Sequence, residues 1–302
     1  MADYLVSLLM FGGIYALLGL GLNLQWGHTG VVNLGFVAFF AVGAYASALL
    51  TLRGMPQILG PVAGLALGGI VAYPIGKLTL RLRDDYLAIV SFGFAQVVQV
   101  LIINSDWTGG VNGLTGITRL FKGMDLDFRP FAQLGLVLCL VALVLYLNHR
   151  LTESPYGRLL RAIRDSIDAV GSLGKNANDY RLAALVLGSA LAGLAGSVYA
   201  HYIGYISPDQ FDSTLSFLVF TGIVIGGSSH WGAAVGTLLF VSLMEATRFL
   251  GDLQLPITDA QFAQVRLIIV GILLIVLMQR RPQGLWPYRH RQRRAEEVSA
   301  RR

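Results

Sequence analysis

The chain has 302 residues, 55% of them hydrophobic and only 13% charged, with a formal net charge of +6. Soluble domains carry about 25% charged residues, and a mean hydropathy of +0.63 excludes a globular fold surrounded by water. The single cysteine, Cys139, lies in an apolar run; it excludes an intrachain disulfide and suggests no thiol chemistry.

An apolar run of about 20 residues crosses a bilayer core as a helix. Nine such runs follow one another, at about 4–24, 30–51, 57–76, 86–104, 131–148, 182–203, 213–227, 231–250 and 263–279. The chain therefore reads as an all-α polytopic membrane protein of about nine spans, within a range of eight to ten. Residues 1–285 form one transmembrane domain, and 286–302 a basic tail. The first run is read as a retained span: Met1-Ala2-Asp3-Tyr4 lacks a basic start, and no small-residue cleavage site follows. The first and second runs and the short stretch between them carry neutral polar residues, Asn23, Gln25, Thr29 and Asn33, and the fourth run adds Ser91, Gln96 and Gln99. Two readings stand side by side for these, interhelical hydrogen bonding and the lining of a pathway.

The third run has small residues at every fourth position: Gly60, Gly64, Gly68, Ala72 and Gly76. In the sixth, Gly188, Ala192, Gly196 and Ala200 repeat the pattern, flanked by Ser189, Gly193 and Ser197. Such faces let helix backbones approach closely in lipid, and packing inside the chain is preferred to a dimer face. The seventh run is short and flanked by glycine, which reads as a broken or re-entrant segment. Glu245 and Arg248, three apart near the end of the eighth, are spaced to pair.

Between the fifth and sixth runs lies a basic loop, 149–181, containing Ser154-Pro155-Tyr156-Gly157-Arg158-Leu159-Leu160-Arg161-Ala162-Ile163-Arg164-Asp165. Ser at the N-cap and Pro at the first position start a helix well. On that helix Arg158, Arg161 and Arg164 recur every third residue, and Leu159, Ala162 and Ile163 make an apolar patch. Such a helix either lodges in a groove on a cytoplasmic protein or lies on anionic lipid.

Charge sets the orientation. With the 149–181 loop and the tail inside, seventeen of the 23 Lys and Arg are cytoplasmic. This satisfies the positive-inside rule, with the N-terminus outside and the C-terminus inside. Arg289-His290-Arg291-Gln292-Arg293-Arg294 reads as a topology and lipid-headgroup anchor rather than a nucleic-acid contact.

Reactive constellations are missing. There is no G-x-x-x-x-G-K-[ST] loop, no H-E-x-x-H, no G-x-S-x-G and no cysteine pair, so no cofactor or metal is expected in this chain. Spans two, three and five have no acidic or basic residue in their middles, whereas ion-coupled carriers usually keep acidic or His groups there. His28 and His201 fall near predicted span ends and read as interfacial.

Several ordered blocks resemble the branched-chain amino acid ABC permeases. They are Gly21-Leu22-Asn23-Leu24-Gln25-Trp26-Gly27-His28-Thr29-Gly30 with Asn33 to Tyr45, Arg83-Asp84-Asp85-Tyr86-Leu87-Ala88-Ile89-Val90, Gly157 to Asp165 with Leu173-Gly174, Ile225-Gly226-Gly227 with Trp231-Gly232, and Arg281-Pro282-Gln283-Gly284-Leu285. Thr108-Gly109-Gly110-Val111-Asn112-Gly113-Leu114 is similar to the loop of the M-type rather than the H-type subunit. The resemblance covers roughly residues 12–286. It implies the helical bundle of a type II ABC importer in the bacterial inner membrane. It further implies a homologous H-type permease subunit as heterodimer partner, two cytoplasmic ATPase subunits that bind ATP and Mg, and an extracytoplasmic solute-binding protein. ATPase coupling is then expected at Gly157, Arg158, Arg161, Ala162, Ile163, Arg164, Asp165 and Gly174, and the pathway at Asn23, Gln25, Thr29, Asn33, Ser91 and Gln96. Leucine, isoleucine and valine, other neutral amino acids, urea, amides and aromatic acids are the solutes the family suggests. A self-sufficient secondary carrier or channel for a small neutral solute is the alternative reading.

Overall fold

The computed structural model describes residues 2–121, 128–250 and 284–286, together with helical positions 268, 271, 272, 275, 276, 279 and 280. Its helices are α1 (Ala2–Thr29), α2 (Phe36–Leu52), α3 (Leu59–Thr79), α4 (Asp84–Ile103), α5 (Arg129–Glu153), α6 (Pro155–Asp165), α7 (Ile167–Ser172), α8 (Ala177–Ile203), α9 (Thr214–Gly226) and α10 (His230–Leu250). By length and composition, five of them suffice to cross a bilayer: α1, α3, α4, α5 and α8. The apolar helices Phe36–Leu52, Thr214–Gly226 and His230–Met244 are shorter. Most of the expected span at 263–279, the tail beyond Trp286 and the side chains of Glu245 and Arg248 lie outside the described residues.

α8 stands at the centre, with α3, α2 and α1 packed around it, while α10, α5 and α9 join through α1. Small residues explain how three helices reach one axis. A Cβ added at Gly64 would lie 2.6 Å from the Gly193 carbonyl oxygen, and one at Gly68 would lie 2.6 Å from that of Ser189. The α3 stripe thus meets the Ser189/Gly193/Ser197 face of α8. The other stripe of α8 turns elsewhere, Gly188 to Gly21 of α1 and Gly196 to Phe40 of α2. Both stripes are contacts inside the chain. Gly64→Leu or Gly68→Leu would force backbones apart, and overpacking typically costs about 1–3 kcal/mol. Both variants should melt well below the parent in detergent; parent-like melting would contradict this packing.

The seventh run forms one continuous short helix, α9, and the irregular backbone lies before it. After α8 a short strand β2 (Tyr205–Ile206) pairs antiparallel with β1 (Leu114–Thr115), pinning the Thr108–Leu114 motif to the end of α8. The chain then turns into the bundle as a 3-10 segment, Pro208–Phe211, whose Phe211 ring packs on Phe40, Tyr45 and Tyr199. α9 has 13 residues, about 20 Å at 1.5 Å per residue, against a hydrocarbon core of about 30 Å. Irregular backbone at such depth is tolerated where protein covers it. Pro208, Phe211 and Ser213 are all buried.

Candidate functional site

The basic loop folds as two helices, α6 and α7, joined at Ser166. The Ser154 hydroxyl accepts from the Gly157 N–H at 3.4 Å and Pro155 opens α6, as the sequence pattern requires. The helix is strongly two-faced. Leu160 packs with Leu24 and Ala184, and Ile163 with Val170 and Ala177. The expected apolar patch is therefore divided: Ile163 is buried in its own chain, Leu159 is half-buried, and Ala162 alone faces outward. Gly157 is buried, whereas Arg158, Asp165 and Gly174 are exposed. Two large apolar side chains beyond the patch are also bare, Ile167 at 40% and Leu173 at 76% exposure. Sequence reading named Leu173 within the family's loop block and missed Ile167.

The three arginines do not act alike. Arg161 donates to the Thr152 carbonyl at 2.9 Å, and Arg164 donates to the Gly27 carbonyl while lying 3.8 Å from Asp165. Both carbonyls belong to the last turns of helices, α5 and α1, where cations and N–H donors are favourable. Gly30, at φ +77°, makes the room: a Cβ there would sit 3.1 Å from Arg164 Cγ. α6 is thus tied to the ends of α1 and α5, and only Arg158 is left on the outer face. Burial, and then the Tyr180 phenol, raise the pKa of the Tyr156 hydroxyl on the same helix.

Behind these ties lies a buried pair of histidines, His28 and His230, of which the sequence reading placed only His28 at the interface. His28 is 2% and His230 6% exposed, and the His149 and His230 rings are 5.0 Å apart. His201 is likewise buried, bonded to Ser47 Oγ and the Thr118 carbonyl at 2.8 Å each. All three sit near helix ends, but neighbouring segments cover those ends.

The neutral polar residues separate into two sets. Gln25 Nε2 donates to the Leu185 carbonyl at 2.9 Å and to Ser189 Oγ at 3.1 Å, while its Oε1 accepts from Asn33 Nδ2 at 3.0 Å. Thr29 donates to the Gln25 carbonyl. Asn33 Oδ1 accepts from the Gly35 N–H, and Ser91 Oγ from the Leu34 N–H, at 3.1 Å each. These four residues brace the α1–α2 turn against α8 and α4, which is the hydrogen-bonding reading. Gln25→Leu would leave buried partners unpaired, at about 1–3 kcal/mol each. A melting temperature unchanged in that variant would show that the network carries no stability.

The second set lies at the two ends of α9. Gln96 Nε2 donates to Ser213 Oγ at 2.9 Å and Gln99 Nε2 to the Pro208 carbonyl at 3.3 Å. Asn23 Nδ2 donates to the Ser228 carbonyl at 3.3 Å just beyond α9, and its buried Oδ1 has no hydrogen-bond partner among the described residues. Ser213 was not foreseen from sequence; the short seventh run was its signal. At the far end of α9 three of the sequence motifs converge. Leu285 and Trp286 N–H donate to the Ile225 and Gly226 carbonyls at 2.8 Å each, and Gly226 packs on Gly232.

A helical bundle built on close glycine contacts, with a short apolar helix entered through a buried irregular segment and an anchored amphipathic helix outside its spans, defines an integral membrane permease. Residues 4–278 match the family described as branched-chain amino acid transport system / permease component, and the chain belongs to that family. It is 34% identical to the high-affinity branched-chain amino acid transport system permease protein LivM of Escherichia coli (strain K12), over 91% of this chain and 68% of the relative. It is 26% identical to a probable LivM of Methanocaldococcus jannaschii over 94% of both chains. It is also 26% identical to the fructose import permease protein FrcC of Rhizobium meliloti, over 82% of this chain and 69% of that one. No solved structure matches. As a transport permease of this family, the chain is a non-catalytic subunit.

Proposed function

We propose that this chain is the membrane permease subunit of an ATP-driven importer for branched-chain or related small amino acids or amides. Alternating access is driven by two separate cytoplasmic ATPase subunits, which supply the ATP and Mg sites; the chain itself holds no cofactor. An H-type permease completes the heterodimer, and an extracytoplasmic binding protein delivers the solute. Residues 1–285 form the permease domain in the bacterial inner membrane, with α6, α7 and the 286–302 tail on the cytoplasmic side.

One observation carries this reading. α6 is fastened from beneath through Arg161 and Arg164 and leaves Arg158, Ala162 and Asp165 outward. A helix held rigidly to two span ends can pass a push from an ATPase into the bundle. Within the expected coupling set, Arg158, Ala162, Asp165 and Gly174 are the docking surface. Gly157, Arg161, Ile163 and Arg164 hold the helix in place. In the expected pathway set, Asn23 and Gln96 are the solute-facing groups, at opposite ends of α9, and Gln96 is joined by Gln99 and Ser213 at the irregular entry to that helix. Interrupted helices at membrane depth are where transporters place polar contacts to solute. Gln25, Thr29, Asn33 and Ser91 support that wall. The fructose permease among the relatives indicates that the scaffold accommodates other neutral solutes, so selectivity falls largely to the binding protein.

The reading is tested by reconstituting the chain by itself in liposomes with an ion gradient. No solute accumulation is expected; uphill uptake without ATPase subunits would sink it in favour of a secondary carrier.

A further inference from the structure

We propose that the notch between the C-terminal end of α3 and the N-terminal end of α8 is a binding site for a phospholipid with an anionic headgroup. A cavity of about 330 Å³ opens there, lined by Tyr73, Lys77, Arg81, Asn176, Asn178 and Asp179 among others. Lys77 and Arg81 are exposed, and their side chains have no hydrogen bond or ion pair among the described residues. Two unneutralised cations beside amide groups favour a phosphate. The Asp179 carboxylate, on the α8 side of the same cavity, opposes it.

The helix face above the notch identifies the phosphate as a lipid's. On α3 the small residues turn toward α8, and the opposite face is bare. Its exposed line runs Val62, Ala66, Ile70, Tyr73, Lys77 in steps of four and three, so these residues stack along one side of the helix. From Val62 to Tyr73 is about 16 Å at the α-helical rise, close to half of a hydrocarbon core of about 30 Å. An acyl chain lying on Val62, Ala66 and Ile70 would bring its phosphate to Lys77 and Arg81, with the amphipathic Tyr73 at the boundary. A free anion would have no use for the apolar line. Clusters of Lys and Arg at a bilayer surface attract anionic lipid by charge.

The test uses the full-length chain in nanodiscs with photoactivatable phosphatidylglycerol, and adducts are mapped to peptides spanning 70–83 and 176–182. A Lys77→Gln/Arg81→Gln double variant should lower labelling about tenfold, given the strength of such charges near anionic lipid. Asp179→Asn should raise it severalfold, and this opposite response guards against a merely misfolded double variant. Excess inorganic phosphate should leave labelling unchanged, and a phosphatidylcholine probe should label weakly. Unchanged labelling in the double variant, or equal labelling by phosphatidylcholine, would overturn the proposal. Displacement by inorganic phosphate would make this a free-anion site instead. Labelling abolished when the chain is co-purified with its partner subunits would assign the notch to a protein contact.

Discussion

Ala162→Glu is expected to strip the ATPase subunits from the purified transporter and abolish solute-stimulated ATP hydrolysis. Ala162 is the one member of the Leu159/Ala162/Ile163 set that faces outward. A carboxylate there enters any groove that receives α6, without touching the packing of Leu160 or Ile163 beneath. Central, desolvated positions dominate interfaces, with losses of 2 kcal/mol or more, which is roughly 30-fold in affinity. Leu173→Glu, on a more exposed apolar side chain, should act in the same direction. Normal co-purification and normal stimulation in Ala162→Glu would mean that α6 lies on lipid and that the ATPases dock elsewhere.

Arg164→Ala should produce a different defect. The guanidinium ties α6 to the Gly27 carbonyl at the end of α1, and α1 packs on α8, α10, α5 and α9. Removing it leaves the docking face intact, so the ATPases should still co-purify. A hydrogen bond to a charged group contributes about 1.5–3 kcal/mol, enough to let the helix move without carrying α1. ATP hydrolysis should then lose most of its response to solute, by about tenfold or more, and Arg164→Lys should restore part of it. From sequence alone Ala162→Glu outranks Arg164→Ala, because every arginine reads as a rim charge, and rim pairs are worth little. On the proposed coupling role of α6 the two defects are separable: Ala162→Glu should lose the partner and Arg164→Ala should lose transmission. If Arg164→Ala keeps full solute stimulation, the tie to α1 carries no signal.

Much of the architecture is legible before any coordinates, because apolar run length is a strong constraint in lipid. The runs at 57–76, 86–104, 131–148 and 182–203 correspond to α3, α4, α5 and α8, with ends displaced by a few residues. α1 continues to Thr29 because Gln25 and Thr29, polar by type, are satisfied inside the bundle. Periodicity reports spacing and not direction. It marked the α3 and α8 stripes, but not that α3 faces Gly193 while Gly188 and Gly196 face α1 and α2. For the same reason Ile163 read as partner-facing when Val170 and Ala177 cover it. His28 and His201 read as interfacial because position along a span says nothing of what folds over its end. The short, glycine-flanked run read as broken, whereas α9 is continuous and the irregular backbone precedes it; the polar contacts there, Gln96 to Ser213 and Gln99 to Pro208, join residues more than a hundred positions apart.

The central claim is that this permease transports only when ATPases act through α6. The most direct measurement is uptake of labelled leucine, isoleucine or valine into liposomes holding the chain with an H-type permease, two ATPases and the binding protein. ATP-dependent uptake that disappears with Ala162→Glu is the predicted result. Uptake that proceeds without ATP, or that survives Ala162→Glu at the parent rate, would contradict the account.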